Sequence, residues 1–286
     1  MTGAQTEAQA EAQQRRAGVA DLFDQLAPLY DQSGVPWFGP IAQRLVALVG
    51  PQPGEHALDI GAGRGAATFP LREAVGATGH VTAVDLSPAM VGLLEREALE
   101  RGVAGIYAIV GEAGPATLGA ERFDVVTASL VLFFDPDAES TLRGWFELLR
   151  PRTGRLGITS FAGIDEHWAA AEAALLAHAP AGALDPRTTG TRGPFASSEA
   201  LESLFRACGA SQVETVVEPL LVTFPDAAAW RAWTMGFGLR QFWASVPESA
   251  LPGVLAEIEL ALDGDRGDDG QLHLTQQVRY TTARAA

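Results

Sequence analysis

From residue 56 onward the chain alternates short apolar, β-branched runs with helical stretches, and this rhythm limits the possible folds more than any other feature. HALDI (56–60), HVTAVD (80–85), GIYAIV (105–110), FDVVTAS (123–129) and RLGITSF (155–161) read as strands, with helical periodicity near 64–76, 87–102 and 137–150. Such runs suit strands buried on both faces, and intervening helices make those strands parallel. Right-handed crossovers then wind them into an open doubly wound α/β sheet. Further on, helices are expected at 164–180 and 197–208, a Pro/Gly/Thr loop at 181–196 and a strand at 212–220. Residues 226–262 read as helical and dense in aromatics; a Gly/Asp-rich turn (263–270) precedes a last strand at about 271–283. Ahead of this core, Val19, Leu22, Phe23 and Leu26 recur at helical steps, residues 1–16 are expected to fray, and a second helix is expected at about 40–50.

Composition removes several classes of chemistry. All 20 basic residues are arginine, so lysine Schiff bases, a Walker phosphate loop and the Tyr-x-x-x-Lys pair of short-chain dehydrogenases are excluded. Thirty-five acids leave a net charge of −15, which repels phosphate backbones and anionic lipid, so neither nucleic acid nor membrane is an expected partner. A single cysteine, Cys208, agrees with a reducing compartment. The polar first residues lack a signal-peptide core and no apolar run reaches about 18 residues, so a cytoplasmic protein is expected.

The stretch Ala57-Leu58-Asp59-Ile60-Gly61-Ala62-Gly63-Arg64-Gly65 ends one strand and opens a helix, where doubly wound sheets bind ligands. Gly61 and Gly63 allow a tight turn and close backbone approach. On its own the spacing also fits a dinucleotide fingerprint ending at Ala66. Asp59 separates the two, because a carboxylate there repels a diphosphate and favours a ligand carrying an ammonium and a sulfonium. Asp85 closes the second strand, where an acid accepts from ribose hydroxyls. Gly111-Glu112-Ala113 follows the third strand, where an acid can meet an adenine amino group. Three acids at three consecutive strand ends are far more specific than the glycines alone.

With these residues the chain resembles the class I S-adenosylmethionine (SAM)-dependent methyltransferases, and within them the ubiquinone/menaquinone-biosynthesis branch. The likeness is carried by Leu29-Tyr30-Asp31, Ala57–Gly65, Val84–Met90, Phe123–Phe134 with Asp135-Pro136-Asp137, Leu149-Arg150-Pro151, Gly154-Arg155-Leu156 and the ending Gln271–Arg284. It implies a mostly parallel seven-stranded, Rossmann-like sheet. The implied units are an N-terminal helical lid (1–55), a SAM-binding core (56–225), a helical pocket insertion (226–270) and a final core strand (271–286). Asp59, Gly61, Ala62 and Gly63 would hold the methionine part, Asp85 the ribose, Leu86 and Met90 the adenine faces, and Gly111, Glu112 and Ala113 the adenine edge. Ser129 and Leu130 would pass beneath the sulfonium, and Tyr30 would close over the cofactor. Glu112 departs from the family's more usual Asp.

Methyl transfer needs alignment, exclusion of water and, where the acceptor carries one, a route for a proton. No metal is expected. The base candidate is His167, in the segment after the fifth strand that faces the transferred methyl in this fold, with Glu166 and Tyr30 as substitutes; a solvent-facing histidine and a helix-capping acid are the alternatives. Trp230, Trp233 and Phe237 share one helical face, open to two readings: packing against the sheet, or walling a pocket for an apolar acceptor. Trp37, Phe38 and Phe134 would complete that pocket. The expected partner is a small hydrophobic acceptor (aromatic, indole or terpenoid) of specialised metabolism, methylated on carbon or oxygen with a lean toward carbon, by a monomer or homodimer. A SAM-binding cyclase or rearrangement enzyme of the same fold is the alternative.

Overall fold

A computed structural model describes residues 3–119, 122–179, 192–236 and 239–286. Seven strands form one sheet: β1 (His56–Ile60), β2 (His80–Asp85), β3 (Ile106–Val110), β4 (Val125–Ser129), β5 (Arg155–Ile164), β6 (Ala210–Phe224) and β7 (Leu272–Ala285). Their order is β3-β2-β1-β4-β5-β7-β6. The first five are parallel, while β7 runs antiparallel to both β5 and β6. The strand order reverses between β1 and β4, and that reversal opens a crevice at their carboxyl ends.

The helices follow from local sequence. α2 (Phe38–Val49) buries Ile41, Ala42, Leu45, Val46 and Val49, an i, i+3/i+4 face, and stops at Gly50 with φ +64°. α3 (Thr68–Val75) and α4 (Pro88–Glu100) flank β1 and β2. α4 starts at Pro88 behind Ser87, whose hydroxyl accepts from the Met90 N–H. The short α5 (Pro115–Leu118) follows β3, and α6 (Ala138–Glu147) is capped by Asp137. α7 (Glu166–Leu176) is capped by Asp165 and α8 (Ser198–Ala207) by Ser197. The aromatic-rich stretch resolves into α9 (Ala227–Thr234), α10 (Arg240–Ser245) and α11 (Leu251–Leu262). No helix among the described residues is long and apolar enough to cross a membrane.

Two expectations need correction. The N-terminal stretch read as frayed is helical: α1 runs from Gly3 to Leu26, because Ala and Gln are good helix formers even without an apolar stripe. β6 extends from 210 to 224, beyond the expected 212–220, through its long pairing with β7. Of the loop expected at 181–196, residues 181–191 lie outside the described residues; Gly193–Phe195 form a 3₁₀ turn.

Packing against the middle of the sheet is tight. A Cβ placed on Gly157 in β5 would lie 2.2 Å from Val49 Cγ2 and 3.0 Å from Leu45 Cδ1, so α2 rests directly on a bare backbone. Gly157→Ala therefore overpacks the α2–β5 contact, and chemical denaturation should read a loss of about 1–3 kcal/mol. An unchanged unfolding midpoint would show that α2 can shift freely.

Candidate active site

The tip of β1 carries the group on which the crevice is built. Asp59 is 1% exposed. Its two oxygens accept from the Thr68 hydroxyl at 2.6 Å and the Thr127 hydroxyl at 3.0 Å. Burial pushes its carboxyl up to about 7, only partly offset by those two donors, with nearby Asp85 adding to the rise. Immediately after it, Gly61 has φ +64°, and a Cβ there would stand 2.4 Å from Val131 Cγ2. Gly63 has φ +52° but no atom within 4 Å of a hypothetical Cβ, so its bare face looks onto open space. The first glycine is required by packing and the second leaves room for a ligand.

Asp85 terminates β2 and organises the loop beside it. One carboxylate oxygen accepts from the Gly63 N–H at 2.8 Å and the other from the Ser87 N–H at 2.9 Å. Burial raises its carboxyl above the ordinary range against the pull of those donors. β4 ends in a strained turn: Leu130 adopts φ +59°, its N–H donating to the Thr159 hydroxyl at 2.8 Å.

Two adjoining cavities meet at these strand ends. One, about 310 Å³, is lined by Asp85, Leu86, Met90, Gly111, Glu112, Ala113, Leu130 and Phe134, together with residues of α1. The other, about 490 Å³, is lined by Asp59, Ala62, Arg64, Asp31, Phe38 and Gln43 among others. Tyr30, Gly61, Gly63 and Ser129 border both. The first suits an adenosine and the second an amino-acid chain bearing positive charge, so the residues present fit SAM. Every expected cofactor residue thus falls on one continuous cleft. Met90 is also 1% exposed and belongs to the packed interior as well as to the cavity lining.

The expected acceptor residues divide. Phe38 and Phe134 border the cavities, and the Phe38 ring stacks on Tyr30 at 4.5 Å between centroids. Trp37, Trp230 and Trp233 are buried in the core instead, with Trp37 against Trp233 at 5.0 Å and Trp168 at 5.8 Å. For these three the packing reading is the one the structure carries. Phe237 lies outside the described residues.

His167 borders neither cavity among the described residues. Its Nδ1 sits 2.8 Å from Asp265 in the turn after α11, its side chain is 37% exposed, and the contact raises its pKa. A Cβ on Gly264 would lie 2.3 Å from Nε2, so the other ring nitrogen faces that backbone. The histidine therefore points to the seam between α7 and the turn after α11. Glu166 opens α7 as a first-turn acid, and Asp165 supplies its cap. Tyr30 is unsuited to accept a proton: burial, with Asp31 and Asp85 near, pushes its phenol well above its ordinary value, so it stays a donor. Among the described residues no group of three or more His, Cys, Asp or Glu could hold a metal.

Several site residues carried no signal in the sequence. Arg64 donates from Nη1 to the Tyr30 carbonyl at 2.9 Å and lies 3.6 Å from Glu97, binding the glycine loop to the N-terminal segment. Asp24 of α1 accepts from the Ser87 hydroxyl and, at 3.1 Å, from the Ala89 N–H. Such ties join residues about 30 to 65 positions apart, beyond any local pattern.

Comparison with known proteins agrees with this geometry. The methyltransferase-domain family matches residues 57–152. The chain is 35% identical over 273 residues to the nocamycin O-methyltransferase of Saccharothrix syringae, covering 92% of this chain and 97% of that one. It is 40% identical over 142 residues to the aklanonic acid methyltransferase DauC of a Streptomyces, covering 50% of this chain and 64% of that protein. Among solved structures, the [4+2]-cyclase SpnF superposes with a TM-score of 0.53 at 19% identity, over 93% of this chain and 95% of that one, a likeness of fold.

Two outcomes follow for cofactor binding. Asp85→Ala should weaken SAM binding by about 1–3 kcal/mol in calorimetry, through lost charge-assisted hydrogen bonds and a loosened Gly63 N–H. A neighbouring cation favours the Asp59 anion, so below pH 7 SAM binding must release the proton that the empty site holds. Affinity should then fall as pH drops from 7 to 5.5, by up to about tenfold per unit, with proton release seen by calorimetry in buffers of different ionisation heat. Asp59→Asn should flatten that dependence. The stability of the folded chain runs the opposite way: what Asp59 contributes is present below the ordinary carboxyl range near 3.8 and is lost as pH rises through 7.

Proposed function

Because this chain belongs to the class I SAM-dependent methyltransferases, we propose that it methylates an oxygen of a flat, hydrophobic small molecule of specialised metabolism. The observation that carries the choice of oxygen is the near full-length likeness to an O-methyltransferase, 97% of which is covered. It reverses the lean toward carbon drawn from the aromatic content alone. A polycyclic or enolic acceptor also agrees with the partial likeness to the aklanonic acid enzyme. A cytoplasmic location remains part of this proposal.

SAM supplies a methyl on a sulfonium, already activated for in-line displacement. The residues of the chain supply the rest. Asp85 holds the Gly63 N–H and would accept from the ribose hydroxyls, so one carboxylate would set both ribose contact and loop shape. Asp59, ionised when a cation lies near, balances charge at the methionine end. Tyr30, at the border of both cavities, and Phe38, stacked on it in the larger one, exclude water and offer an apolar floor to a planar acceptor. The Tyr30 phenol, held protonated, can donate to the acceptor oxygen but cannot take its proton.

Neither cavity is lined by a histidine among the described residues. The reading that follows is an acceptor whose hydroxyl is acidic enough to arrive ionised, drawn to the sulfonium without a protein base. The test is label transfer from methyl-labelled SAM into phenolic and enolic polycycles, followed by NMR of the product. An O-methyl product supports the reading and a C-methyl product overturns it. On such an acceptor, His167→Ala should keep turnover within about twofold. A loss beyond tenfold, with SAM affinity intact, would return the proton to the His167–Asp265 pair.

A further inference from the structure

α1 lies along the adenosine half of the cleft, and the residues it turns to that cavity are Arg16, Val19, Ala20 and Phe23, one helical face at steps of three and four. Apolar contact on that face is slight: the Phe23 ring meets Phe134 and Tyr30 edge-on, at 5.4 and 5.8 Å. Polar ties do more of the holding. Arg16 donates from Nε and Nη2 to the two oxygens of Asp135, at 3.2 and 3.4 Å, and its Nη1 stands 3.6 Å from Glu112. Asp135 follows β4 and Glu112 follows β3, so this one guanidinium bridges two separate edges of the cavity mouth. The Arg16–Asp135 pair is mostly covered, at 27% and 15% side-chain exposure, which makes it less screened than a surface pair.

We infer that Arg16 is a positioning residue that fastens α1 over the bound nucleoside and sets how fast the nucleoside product leaves. Without it, Asp135 and Glu112 are two like charges flanking the cavity, and α1 is left with its apolar contacts and the Asp24 tie to α4. A guanidinium matches this place because its planar fork meets both Asp135 oxygens while a third nitrogen reaches Glu112. Glu112, the expected adenine contact, is thereby shared between the cofactor and the helix above it, so adenine placement and α1 closure are coupled through one carboxylate. The inference rests on the chain being a SAM enzyme and is independent of the acceptor.

The test needs only S-adenosylhomocysteine, with release followed by stopped-flow competition. Arg16→Gln should speed release about tenfold or more, with association changed less than about threefold. Raising salt from 50 mM to 0.5 M should speed release from the wild type and leave Arg16→Gln nearly unaffected. Asp135→Asn removes the partner from the sheet side and should reproduce most of the effect. The exchanged pair Arg16→Asp with Asp135→Arg should restore slow release, which loss of helix packing alone would not allow. Release rates equal to wild type in both single variants overturn the inference, as does faster release that neither responds to salt nor recovers in the exchanged pair. Wild-type calorimetry in the same buffers separates these results from an absence of nucleoside binding, which would instead overturn the functional reading.

Discussion

Burying a carboxylate at the end of the central strand is the constraint around which the site is arranged. Asp59 sits between two threonine hydroxyls, one at the start of α3 and one on β4, and neither donor carries a charge. A buried carboxylate held only by neutral donors resists ionisation, and this one titrates near 7. That arrangement is costly in an empty protein and favourable when a cation is present. The rest of the glycine loop serves it: Gly61 must stay bare for Val131 to close behind the strand, and Gly63 must stay bare so that its N–H reaches Asp85 and its open side meets a ligand.

A chain with a net charge of −15 gathers still more acid here: Asp24, Asp31, Asp59, Asp85, Glu112 and Asp135 all lie on or beside the two cavities. Mutual repulsion would spread the strand-end loops unless cations intervened. Arg16 and Arg64 intervene, one above each half of the cleft, and both are anchored to the N-terminal segment or by it. The acids attract a positively charged nucleoside, and the arginines keep them from driving the loops apart before it arrives. On the proposed reading, charge in this site does two jobs, recognition at Asp59 and Asp85 and closure at Arg16 and Arg64.

The sheet and the residues that line the cleft at its strand ends are legible in the sequence because both depend on short-range pattern. Strands at 56–60 and 80–85 coincide with β1 and β2 to the residue, since buried parallel strands are written as continuous apolar runs. Asp59, Asp85 and Glu112 were found from their places at strand ends, which a βα register fixes. What lay beyond reading was any partnership set by tertiary approach. The clustering of Trp230 and Trp233 reads the same for a pocket wall as for a core; their burial, with Trp233 against Trp37 and Trp168 and Trp230 against Trp243, distinguishes the two. The family resemblance implies that the segment after the fifth strand, which carries His167, faces the reaction. Yet β5 runs on to Ile164 beside β7, and that extension carries the histidine out to Asp265. The α1 ties were hidden for the same reason: nothing in an Ala/Gln-rich stretch announces which strand ends its arginine will bridge.

The absence of lysine bears on the chemistry as well as on what the chain excludes. Every side-chain cation apart from histidine is a guanidinium, which keeps its charge across the working pH range. At the cleft, the Tyr30 phenol stays protonated over that same range. Burial brings the Asp59 carboxyl, at the tip of β1, up to about 7, and raises those of Asp85 and Asp31 as well. On the proposed reading, Asp59 ties a pH response to loading the cofactor, while the transfer step takes its ionisation from the acceptor itself. On that reading the site favours acidic hydroxyls, since an alcohol of ordinary acidity would meet no histidine among the described residues that line the two cavities.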